Sequence, residues 1–168
     1  MRKLTILKTI VDLFWILSLI TTPILLFFIA FILTNSSKDG IPIRIQGILY
    51  DEHNLSTKVL LIVTVISYII IIYTIYQFKK VLREFQKTKI FSEIVFIGFN
   101  KMGISLIIGA ILTGISSLLY PIFSKSKLEL SFDLSPFILM LCFGLFFLVL
   151  SEIFKIAKHT KEENELTI

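Results

Sequence analysis

The chain has one cysteine, Cys142, in 168 residues. That excludes an intramolecular disulfide and any zinc site built on a cysteine cluster. Charge is scarce as well. Only 17% of the residues are Asp, Glu, Lys or Arg, against about 25% in an ordinary soluble domain. No P-loop, G-x-S-x-G, H-E-x-x-H or dinucleotide-binding glycine pattern occurs. No nucleophile–base pair is visible, and Cys142 has no histidine near it in the sequence, so the chain reads as no enzyme. What abounds is apolar: 55% hydrophobic residues, 16 of them Phe, and a mean hydropathy of +0.89. Intrinsic disorder needs the opposite composition. Lipid is the solvent such a chain suits.

Four stretches carry no formal charge: Leu13 to Leu33, Val59 to Phe78, Met102 to Phe123 and Leu134 to Ser151. Crossing ~30 Å of hydrocarbon takes about 20 residues of helix. A lone segment in lipid must satisfy its own backbone hydrogen bonds, which makes each stretch a helix. Transmembrane helices are therefore expected over 11–34, 59–78, 102–123 and 134–154. Outer loops would cover 35–58 and 124–133, an inner loop 79–101 and a tail 155–168. The first stretch follows Arg2, Lys3 and Lys8 as a secretory signal would. Its apolar run exceeds a signal core of ~7–15 residues and no small-x-small cleavage site follows, so a retained anchor is expected.

Lys and Arg set the orientation. The N-terminal tail, the 79–101 segment and the C-terminal tail hold 12 of the 17, and the other two loops hold five. Both termini and the middle loop are expected in the cytoplasm. His53 and His159 then lie on opposite sides and cannot share a metal; neither metal nor cofactor is expected. Asn35-Ser36-Ser37 and Asn54-Leu55-Ser56 match a short glycosylation pattern on the outer side.

Helices in lipid associate through small residues. Ser105, Gly109 and Thr113 share one face of the third helix, and Gly144 with Cys142 offers a weaker version on the fourth. These are candidate packing positions; a ligand groove along the same face is the functional counterpart. Pro23 lacks an amide donor near the middle of the first span and is a candidate kink or hinge. Asp12 and Glu152 stand at the ends of the first and fourth spans, with Lys155 three residues after Glu152. The basic run Lys79-Lys80-Val81-Leu82-Arg83 is suited to anionic headgroups. Ser92 followed by Glu93 marks the start of the third helix. Ile41, Ile43 and Ile45, then Leu128, Leu130, Phe132 and Leu134, alternate with polar residues or proline, a strand-like period of two. The two outer loops are accordingly expected to pair as a small extracytoplasmic β-sheet over a four-transmembrane-helix bundle, with Pro42 at a sheet edge.

The C-terminus is the most distinctive feature. Leu150-Ser151-Glu152-Ile153-Phe154-Lys155 leads to Glu163-Asn164-Glu165-Leu166-Thr167-Ile168. This resembles the bacterial membrane-protein family known as domain of unknown function 2975, with its L-x-E-x-F-[RK] and E-N-[DE]-L-T-[VI] motifs. Phe85, Phe91 and Ser92 also resemble the family's F-x-x-G-x-x-F-[ST] region. Lys87, Thr88 and Lys89 stand where a glycine and its neighbours are common, and Thr160 where leucine is common. The resemblance implies an inner-membrane protein of bacteria with no established activity. It also implies a nearby partner, because family members are often encoded beside a small helix-turn-helix regulator of the Cro/repressor type.

These features point to a non-enzymatic interaction or regulatory protein in the bacterial cytoplasmic membrane. Its inner loop and tail would bind a soluble partner, such as that regulator, and would not bind nucleic acid directly. Candidate partner-binding residues are Glu152, Phe154, Glu163, Asn164, Glu165, Leu166 and Thr167. The competing reading is a small transport or peptide- and toxin-resistance protein, with a path along the small-residue face of the third helix and Pro23.

Overall fold

The computed structural model describes residues 2–34, 43–45, 48–50, 55–125 and 136–166. Four helices hold most of them: α1 (Arg2–Thr34), α2 (Leu55–Gln86), α3 (Glu93–Lys125) and α4 (Pro136–Leu166). All four are long and apolar enough to cross a membrane, and the protein is a multi-pass membrane helix bundle. At ~1.5 Å per residue such helices measure about 50 Å, well beyond ~30 Å of hydrocarbon. They continue past their uncharged stretches. The 79–101 segment is two helix ends joined by the six-residue turn Lys87–Ser92. The turn and the two helix ends it joins form the turn end of the bundle.

Sequential helices are neighbours: α1 packs on α2, α2 on α3 and α3 on α4. Half of the α3 span is buried, against 33% for α2 and 11% each for α1 and α4. α3 has two packing faces. Towards α2, the Ser67 and Thr113 hydroxyls lie 2.7 Å apart, each 2.9 Å from the Gly109 carbonyl. Each hydroxyl has a single proton, so one donates to the carbonyl while the other donates to its neighbour. Towards α4, Gly103 and Gly144 let the backbones close in. A β-carbon on Gly103 would stand 2.8 Å from the Gly144 carbonyl oxygen. α1 is peripheral and packs along α2: Trp15 on Tyr76, Thr21 with Tyr68, Asp12 with Lys79 and Lys8 with Gln86. The helix is continuous through the exposed Pro23, and the Thr21 and Thr22 hydroxyls donate to the Ser18 carbonyl just before it.

α4 is staggered against α3. Phe137 lies on Gly114, Ser151 donates to the Phe96 carbonyl at 2.8 Å, and Lys158 reaches Glu93. In that antiparallel register α4 begins beside the middle of α3's uncharged stretch. The last part of α3, 115–125, runs about 16 Å past it. At the other end, α4 overruns the start of α3 by about 12 Å, over 159–166.

The expected sheet joining the two outer loops is corrected by the structure. Among the described residues the chain is helical apart from the turn and one local hairpin, whose strands are β1 (Ile43–Ile45) and β2 (Ile48–Tyr50). The two pair with each other, Ile43 opposite Tyr50 and Ile45 opposite Ile48. Alternation marks a strand but does not name its partner. A partner two residues away costs far less loop-closure entropy than one beyond two transmembrane helices. Pro42 and the 128–134 alternation lie outside the described residues.

Candidate functional site at the α2–α3 turn and the α4 tail

The turn end is held by aromatic packing. Val81, Val95, Phe99 and Met102 form a buried cluster with Phe78, Phe85, Phe147, Leu150 and Phe154 against it. Phe99 stacks on Phe147 at 5.9 Å and meets Phe154 at 5.3 Å, while Phe85 and Phe91 reach Phe154 at 5.9 and 6.5 Å. Aromatic pairs at 4.5–7 Å are worth about 0.5–1.5 kcal/mol each beyond their buried area. This cluster locks α2, α3 and α4 together where they leave the uncharged zone.

The turn itself is a Schellman cap. The Lys89 amide donates to the Glu84 carbonyl and the Thr88 amide to the Phe85 carbonyl, both at 3.1 Å. Between them Thr88 adopts φ 60°, the left-handed conformation that glycine usually supplies. Thr88 also occupies the glycine position of the F-x-x-G-x-x-F-[ST] pattern. Ser92 directly precedes α3 and accepts the Val95 amide on its carbonyl at 3.0 Å. Its hydroxyl oxygen is buried with no hydrogen-bond partner among the described residues.

The α4 tail lies alongside this turn. Lys158 bridges to Glu93 at 3.0 Å and to Glu162 at 3.5 Å, and Lys161 pairs with Glu165 at 3.5 Å. The hydrogen bond to Glu93 holds the Lys158 ammonium above the ordinary lysine range. Glu162 adds to the effect, and partial burial opposes it. Turn and tail together enclose an open groove of ≈ 320 Å³. One wall is Thr88 to Ser92, with Ile90 and Phe91 exposed; the other is Lys158, Lys161, Glu162 and Glu165.

The residues singled out for partner binding divide between interior and surface. Phe154 is internal, in the aromatic cluster. Glu165 lines the groove. Glu152 is exposed and stands 4.0 Å from Lys155. Glu163 and Asn164 are exposed on the tail. The Leu166 side chain and Thr167 fall outside the described residues. Of the packing candidates, Thr113 faces α2, Gly109 lies between Met140 of α4 and Ser67 of α2, Gly144 faces α3, and Ser105 is half-buried. Gly103 escaped the sequence reading, although Gly103, Ala110 and Gly114 recur at i, i+7 and i+11, a helical spacing that could have revealed the second face. Lys158 and Phe91 also line the groove, although neither was among the partner-binding candidates. The i, i+4 pair Lys158–Glu162 was the available signal. Among the described residues no group of three or more His, Cys, Asp or Glu is placed to hold a metal ion.

A family model described as "Protein of unknown function (DUF2975)" matches residues 5–168, essentially the whole chain. The chain belongs to the DUF2975 family. No curated protein and no solved structure matches this DUF2975 chain. The groove at its turn end offers an apolar lip, Ile90 and Phe91, beside basic and acidic side chains along one helix.

Proposed function

We propose that this DUF2975 protein is a non-enzymatic membrane adaptor whose turn and α4 tail face the cytoplasm and dock a soluble partner. A helix-turn-helix regulator is the partner favoured by the family resemblance. One observation carries the reading: exposed Ile90 and Phe91 border the Lys158–Glu165 charges in one groove, and the Phe91 ring meets Phe154 of the aromatic cluster. An apolar anchor beside charges of both signs is a recognised interface composition. The inward orientation rests on the 12 Lys and Arg gathered in the turn, N-terminal and C-terminal segments, and the bacterial inner membrane on the family resemblance. A transport path along Gly109 finds no comparable support, because that position is filled by Met140 and Ser67.

The test places a photo-crosslinking residue at Ile90 or Glu165 in the full-length protein in native membranes. Both positions should capture one soluble protein, identified by mass spectrometry as a DNA-binding regulator. Phe27, on the outer surface of α1, should not capture it. Equal capture from Phe27, or capture unchanged after deletion of Asn164 to Ile168, contradicts the proposal.

A further inference from the structure

One face of α2 has the profile of an amphiphile. Ile62, Ile66, Ile69, Tyr73 and Tyr76 follow one another at steps of four and three, each 37–46% exposed. Lys80 and Arg83 continue the same row just past Phe78, where the uncharged stretch of α2 ends. Both are exposed, and neither has a carboxylate partner among the described residues. Their neighbours differ: Lys79 pairs with Asp12 at 2.9 Å, and Lys87 with Glu84 at 2.8 Å. The Lys80 ammonium sits 4.7 Å over the Tyr76 ring, and that ring packs against Trp15 at 5.3 Å. An aromatic pair thus holds an uncompensated cation at the depth of the headgroups.

We propose that this face of α2 binds an anionic phospholipid. The lipid phosphate sits between Lys80 and Arg83, whose i, i+3 spacing brings the side chains within ~5–6 Å at the β-carbons. The guanidinium supplies the fork that matches phosphate oxygens. An acyl chain follows the row from Tyr73 to Ile62, a rise of about 16 Å, close to the ~15 Å of one leaflet. The paired Lys79 and Lys87 flank the site without adding net charge to it.

The test uses the full-length protein in neutral detergent and native mass spectrometry with phosphatidylglycerol, phosphatidylcholine or inorganic phosphate added. Phosphatidylglycerol adducts should survive at activation energies that strip phosphatidylcholine. In the double variant Lys80→Gln, Arg83→Gln they should weaken about 30-fold, two cations' worth of attraction to an anionic lipid. Lys155→Gln, Lys161→Gln removes equal charge elsewhere and should leave them unchanged, and Lys80→Arg should retain them. Intrinsic Trp15 fluorescence against temperature checks that each variant is folded. Equal retention of the two lipids overturns the proposal. So does an equal loss in the Lys155/Lys161 variant, or displacement of phosphatidylglycerol by inorganic phosphate at comparable concentration, which would assign the site to a free anion.

Discussion

Thr88 holds a backbone angle that its side chain disfavours. The left-handed conformation costs a β-branched residue about 1–2 kcal/mol, and the Schellman bonds on either side of it fix that geometry. Thr88→Gly is therefore expected to stabilise the protein by about 1 kcal/mol, read as a higher unfolding temperature in detergent. A lower one would mean that the threonine side chain contributes more than the strain costs. Lys158 makes a second prediction. Its ammonium is favoured in the folded state, so the stability it contributes is complete below its ordinary pKa of 10.5 and is lost as pH rises through the raised value. A fluorescence-transfer pair at Lys89 and Glu163 should report an unchanged turn–tail distance from neutral pH to the ordinary lysine range, then opening above it. Lys158→Met should remove that alkaline transition. Opening that begins near neutrality in the unmodified protein would contradict the assignment. The family pattern pointed to the departure from glycine at position 88. It could not show that the backbone there keeps a glycine's angle, because φ depends on the hydrogen bonds around the turn.

The helix spans themselves were readable, since uncharged runs of bilayer length can satisfy their backbones only as helices. Which faces of those helices meet was less so. The small-residue rule selects a face by spacing, and α3 has two such faces. Thr113 and the Gly109 carbonyl meet α2, while Gly103 and Gly114 meet α4. The α4 face separates two glycines by space alone. A methyl on Gly103 would meet the Gly144 carbonyl at 2.8 Å and Leu148 at 2.7 Å, whereas on Gly114 its nearest neighbour is Phe137 at 3.7 Å. Gly103→Ala should destabilise the α3–α4 packing by about 1–3 kcal/mol. Gly114→Ala should be neutral, or stabilising by up to about 1 kcal/mol through helix propensity. Thermal unfolding in detergent separates the two, and equal effects would refute the close approach. Of the two strand-like alternations, the first contains β1, but its pattern could not choose between a neighbour and the distant loop.

For the whole molecule, the stagger of α4 is the feature least available to sequence. Charge-free lengths place every span across the same slab, yet the α3–α4 glycine contacts slide α4 towards the turn end. Exposed Leu118 and Ile122 on α3 are left beyond its start. At the opposite end the overrun brings the tail beside the turn, and the groove exists only because of that shift. Topology and site are therefore linked: whichever side receives the turn also receives the tail and both termini. The most direct measurement is labelling of single-cysteine variants in intact bacterial cells with a membrane-impermeant maleimide, after Cys142→Ser. Cysteines replacing Thr88 and Glu163 should stay unlabelled until the cells are lysed, while one replacing Asn35 should label at once. Labelling at either of the first two positions in intact cells would place the groove outside and contradict the account.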